Sequence, residues 1–156
     1  MWDTAFLTAE VAYSRLDKVT LHPELFKGEG YAGCPTGQDK TNGCATNSFL
    51  GVALNFNPSW YGVFPSVDMA LPFSLNYGIR GNGATLSGGN EKAYTASLGL
   101  VLTFSQAHEL TLRYADSHAG YKHSVGSNGL DAVTTGNGNY GTNDRGWLSL
   151  TFKTQF

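Results

Sequence analysis

No run of roughly 18 or more consecutive apolar residues occurs in this chain of 156 residues, so it has no transmembrane helix. Charge is also scarce. Asp, Glu, Lys and Arg make up 14% of residues and the formal net charge is −2, which removes the electrostatic basis for binding nucleic acid. Only two cysteines are present, Cys34 and Cys44, with no histidine near either. The pair predicts a small disulfide-closed loop formed in an oxidising compartment, the alternative being two free thiols in a loop. A leader is missing too. Met1-Trp2-Asp3 runs straight into a strand-like segment without a basic or apolar lead-in. Taken by itself that suits a cytosolic protein; with the features below it predicts a piece whose natural start lies elsewhere.

What the chain does have is glycine, 20 residues of it, and 13% aromatics. That composition favours many strands joined by turns. Mean hydropathy is −0.21, which is compatible with a membrane barrel because such a wall shows lipid only every second residue.

Alternation is the dominant pattern. From Val67 to Ile79 every odd position is apolar, while the even positions carry Asp68, Ala70, Pro72, Ser74, Asn76 and Gly78. A helix would scatter these apolar residues round its circumference; a strand gathers them on one face. The same alternation starts at Leu7, Leu50, Tyr94, Leu110 and Leu148, so six strands are expected. Pro72 has no N–H to give a ladder and predicts a bulge or kink. Connections near residues 16–47, 81–91 and 117–143 are long; those at 58–65 and 105–108 are short. Long loops on one side and tight turns on the other describe an outer-membrane barrel.

The aromatic residues fit that topology. Tyr13, Tyr77, Tyr94 and Tyr114 fall at the long-loop ends of their strands, and Phe56, Phe104 and Phe156 at the short-turn ends, all in the apolar frame. These predict the two lipid-interface girdles. At ~3.3 Å per residue and a tilt of about 45°, the interval from Tyr94 to Phe104 spans roughly 23 Å, close to the ~25 Å apolar band. The opposite frame holds Glu10, Asn55, Asp68, Asn76, Arg80, Thr95, Glu109, Arg113, Ser149 and Lys153. In a barrel they either set the selectivity of a wet lumen or form structural cross-strand pairs.

Two blocks, VFPSVDMALPFSLNYGIRGNG (Val63–Gly83) and NDRGWLSLTFKTQF (Asn143–Phe156), resemble the C-terminal region of a large proteobacterial outer-membrane family catalogued as a domain of unknown function. The resemblance implies an all-β fold, an antiparallel transmembrane β-barrel portion of six up-and-down strands. It also implies a bacterial outer-membrane location and passage of apolar metabolites. The alternating terminal strand with Phe152 and Phe156 looks like the signal read by the barrel-assembly machinery. No catalytic residue, metal or cofactor comes with the resemblance. Bacterial barrels contain at least about eight strands, so six need more strands, from a missing N-terminal part or a partner chain, with outer-membrane lipid around them.

Three functional readings follow: a channel or transporter segment, an outer-membrane lipid hydrolase, and a soluble β-sandwich binding module. The hydrolase reading rests on Ser117 and His118, which adjacent strand positions would point to opposite faces. His118 and His123 offer a metal only two nitrogens. Gly136 to Gly141 has the spacing GxGxxG, but a strand rather than a helix follows it, so it is expected to be a flexible loop.

Overall fold

The computed structural model describes residues 1–85 and 88–155. The chain is all-β and antiparallel. Its strands are β1 (Thr4–Arg15), β2 (Ser48–Phe64), β3 (Val67–Ala70), β4 (Phe73–Arg80), β5 (Tyr94–Phe104), β6 (His108–His118), β7 (Tyr121–Val125), β8 (Asp131–Gly136) and β9 (Trp147–Thr154). All but β7 and β8 form one sheet in which β2 is followed by β3 and β4, then β5, β6 and β9. β3 and β4 are two halves of one strand, interrupted at Leu71 and Pro72, where the missing proline donor predicts a break. The interruption is bridged: Leu71 donates to the Pro58 carbonyl (3.0 Å) and Gly99 to the Pro72 carbonyl (2.7 Å). Gly99 has to be glycine, because a Cβ there would sit 2.9 Å from Pro72 Cγ. Counted this way, six long strands run up and down in sequence order.

Sequence and structure differ at three places. β2 continues to Phe64, six residues past the turn expected to begin at Pro58. Its far end holds two extra residues against β3, because Trp60 pairs with Met69 and Phe64 with Val67. The bulge is braced by carboxylates: Tyr61 N donates to Asp3 (2.8 Å) and Gly62 N to Asp68 (2.8 Å). Second, the 117–143 connection, expected as loop, contains the β7–β8 hairpin, whose short strands lack a long alternating run. Third, Ile79 is bulged out of the β2–β4 ladder, so that Gly78 pairs with Gly51 but Arg80 with Leu50.

The sheet is a single layer. Leu7, Phe56, Leu75, Leu98 and Leu148 share one face with their cross-strand partners, and no second sheet covers that face among the described residues. Side chains there stay open: Val11 is 71% exposed, Leu150 68% and Phe152 63%. Among the described residues the buried apolar side chains are Cys44, Ala45 and Ala119, in the loops, and Pro58 at the β2 end of the large sheet. A soluble sandwich would bury its apolar frame between two layers. Among the described residues no second layer covers that frame.

Candidate functional site: a polar sheet face under a loop cap

The other face of the sheet carries the polar frame in register. Glu10 shares a row with Ala53, Asn76, Thr95 and Ser117; Asn55 shares one with Ser74, Ser97 and Trp147. Gly99, Arg113 and Ser149 make a third row, and Asp68, Thr103, Glu109 and Lys153 a fourth. Most of the expected lumen residues are therefore brought together on one side. Several also pair across strands. Lys153 Nζ reaches Glu109 at 3.0 Å, Ser74 and Ser97 hydroxyls meet at 2.8 Å, and Asn76 donates to Thr95 at 3.3 Å. Asp68 spends its carboxylate on the β2 bulge. Arg80 is a correction: the bulge at Ile79 sets it opposite Leu50, in the apolar frame rather than the lumen frame.

Three cavities of about 420, 410 and 430 Å³ run along this polar face. The first lies under the loops, between Glu10, Asn76 and Asn139, with Phe49 as its apolar floor. Phe49 sits in the polar frame, opposite Ser14, and the chain makes room for its ring with glycine. A Cβ on Gly51 would lie 2.6 Å from Phe49 Cζ, and one on Gly89 2.4 Å from the same atom. The second cavity is bordered by Arg113 and Arg145, the third by Asn55 and Arg113.

The three long connections close over one end of the sheet through a buried polar knot. Asn82 and Asn137 are 1% and 4% exposed. Their side-chain amides pair reciprocally, at 2.9 and 3.0 Å. Asn82 also donates to the carbonyls of Lys40 and Cys44, and its oxygen accepts from Glu91 N. Glu91 in turn accepts from Gly81 N and Lys40 Nζ, each at 2.7 Å. The Gly81 N–H, and after it Lys40, hold the Glu91 carboxyl below the usual carboxylate range. Gly81 is in the left-handed region at φ 74°, where a Cβ would strike the Ser48 carbonyl 2.0 Å away. Cys34 and Cys44 form a disulfide inside the first loop, with Cα atoms 5.8 Å apart.

Sequence reasoning overlooked this knot and read residues 136–141 as flexible. One signal was available: the tripeptide Gly-Asn-Gly occurs twice, at 81–83 and 136–138, and its two asparagines are the reciprocal pair.

The residues with catalytic or metal potential do not converge. Ser117 Oγ bonds Thr142 Oγ1 (2.9 Å) on the polar side, while His118 stacks on Tyr94 with ring centroids 5.9 Å apart. His123 pairs with Asp131 at 2.7 Å on the β7–β8 hairpin. Among the described residues no group of three His, Cys, Asp or Glu side chains could hold a metal.

The aromatic residues expected at the interfaces lie in the apolar frame, but not on a common hydrogen-bonded row. Tyr77 and Tyr94 pair directly, in the row of Val52 and His118. Tyr13, opposite Leu50, is two residues above that row, and Tyr114 is four residues below it. The level thus falls six residues over the four strand steps from β1 to β6, or about 1.5 residues per step. Phe56 shares a row with Phe73 and Leu98, while Phe104 lies six residues further along β5, two strand steps away, so the second set descends in the same sense but about twice as steeply. Phe152 faces Leu110 in the apolar frame. Phe156 lies outside the described residues.

No curated protein and no solved structure matches the chain. Residues 2–156 match the DUF1302 family, described as a protein of unknown function, and the chain belongs to that family.

Proposed function

We propose that the chain is a six-stranded arc of a bacterial outer-membrane β-barrel wall, with its polar face lining a passage for small solutes and its long loops capping the outer mouth. One observation carries the reading: an apolar sheet face without protein cover is bounded by aromatic levels that step across the strands. A membrane plane cuts a tilted barrel obliquely to its hydrogen-bonded rows, so each interface must shift along successive strands. At ~3.3 Å per residue and ~4.8 Å between strands, the tyrosine step of about 1.5 residues corresponds to a tilt of about 45°, within the range of such barrels. A water-facing sheet has no reason to keep that stagger.

The edges β1 and β9 leave ladder groups that cannot be left open in lipid. Further strands, from an N-terminal part of the same polypeptide or from a partner chain, close the ring. The terminal strand with Phe152 and Phe156 is the segment offered to the barrel-assembly machinery. Lys153–Glu109 and the serine, threonine and asparagine rows make the wall polar inside, as a water-filled lumen needs.

The test is made on the native gene product in its own cells. Membranes are fractionated and the protein is run on a gel with and without boiling, detected by an antibody to residues 117–143. An outer-membrane band that shifts on heating is expected. A soluble band that does not shift would sink the reading.

A further inference from the structure

We infer that Arg113 and Arg145 form a carboxylate-binding subsite on the polar face, which selects solutes joining a carboxylate to a compact apolar body. The inference rests on the barrel reading and deepens it. Both arginines border the same cavity of about 410 Å³. Arg113 projects from mid-β6, where its Nη2 donates to Ser97 Oγ at 3.1 Å, and Arg145 comes down from the loop before β9. Among the described residues neither guanidinium has a carboxylate partner. Of the other charges nearby, Asp144 precedes Arg145 in the chain but does not border the cavity, and the rest are engaged, turned away or remote. Lys153 and Glu109 satisfy each other, and Asp68 holds Gly62 N. Asp116 borders the cavity, but it shares its row with Ala96, on the apolar side, and accepts from Tyr94 Oη at 3.0 Å. Glu10 lies four strand steps away, on β1.

An arginine fork presents parallel N–H donors that match a carboxylate. The remaining wall supplies hydroxyls, from Ser74, Thr95 and Ser117 among others, which suit an anion's outer lone pairs. Beyond Asn76, Thr95 and Asn139, which border both spaces, the cavity opens into the one floored by Phe49. That neighbour is mainly apolar, lined by Ala12, Ala53 and glycine backbone, with Glu10 at its β1 side. Charge at one end and an apolar shelf at the other define the class of solute.

The experiment uses the full-length natural protein in planar bilayers, with hexanoate and the isosteric neutral hexanamide as probes at neutral pH. Hexanoate is expected to block the single-channel current at lower concentration than hexanamide. Arg113→Gln and Arg145→Gln should each weaken the hexanoate block roughly tenfold and leave the hexanamide block unchanged. Arg113→Lys, which keeps the charge and loses the fork, should fall between. Equal block by the two probes, or hexanoate block unaltered in both glutamine variants, overturns the subsite while the barrel reading stands. A protein that gives neither channels nor a heat-shifted band overturns both. Should Arg113→Gln fail to insert, the loop variant Arg145→Gln decides the matter alone.

Discussion

The sheet and the loop cap of this chain obey opposite rules. In the sheet, large apolar side chains stand uncovered along β1, β4, β6 and β9, and the strands are joined by ladders and short polar pairs. In the cap, which is rich in Gly, Asn and Thr, the side chains buried most deeply are Asn82 and Cys44, tied by amide–amide and amide–carbonyl bonds. A water-soluble domain places its apolar residues inside and leaves its loops wet. Here the loops hold the interior and the strands do not. The contrast is one of burial: among the described residues the cap encloses polar side chains, while the apolar face of the sheet stays uncovered.

Four changes would break or sharpen that contrast. The largest effect is expected for Leu112→Arg, in the middle of the uncovered apolar face between Leu100 and Leu150. It should destabilise the full-length protein in liposomes by about 2–4 kcal/mol, whereas Thr95→Arg on the polar face should cost well under about 1 kcal/mol. Denaturant titration of the liposome-inserted protein measures both, and equal costs would remove the distinction between the two faces.

Next comes the Cys34–Cys44 disulfide, which closes ten residues of the first loop. Loop-closure entropy puts its contribution to the order of the cap at about 2–3 kcal/mol. Replacing both cysteines by serine should speed protease nicking between residues 16 and 47 and leave the heat-shifted gel band in place. A change in the band itself would mean that cap and wall unfold together.

Asn82→Ala removes the donors to Lys40 and Cys44 and leaves the buried Asn137 Oδ1 without a donor, while Asn137 Nδ2 keeps the Glu91 carbonyl. Each buried group left unpaired costs about 1–3 kcal/mol. Nicking should therefore spread to all three loops, as peptide mapping of the cleaved products would reveal. Cleavage confined to the second loop would show that the knot does not join them.

The smallest effect is that of pH. Glu91 has its carboxyl held down by Gly81 N–H and Lys40, so the stability it adds is present above the ordinary carboxylate range and lost as pH falls through its lowered value. Acid should loosen the cap and speed its nicking as pH falls through the lowered Glu91 value. Glu91→Gln should flatten that acid dependence of nicking without altering the wall.

Much of the sheet was legible in the sequence because a strand's period is two, and a one-residue slip would exchange its faces. The odd-numbered residues from Val67 to Ile79 declare a strand without any knowledge of neighbours, and Pro72 declares its interruption. Bulges escape this logic. Ile79 looks like one more outward residue, and only pairing with β2 reveals that Arg80 is displaced to face Leu50. Pro58 looks like a terminator, yet β2 runs through it, since its carbonyl still accepts from Leu71.

By itself, then, the sequence determined that the chain makes six alternating strands, which residues share a face, and which connections are long. Those are local properties, set by side-chain period and by proline and glycine chemistry. Tertiary structure alone decided that Asn82 meets Asn137 across 55 positions, that Glu91 finds Lys40, and that Arg113 and Arg145 border one cavity. No local period encodes such meetings: they depend on how the ladder registers set the strand ends and on where three irregular loops come together above them.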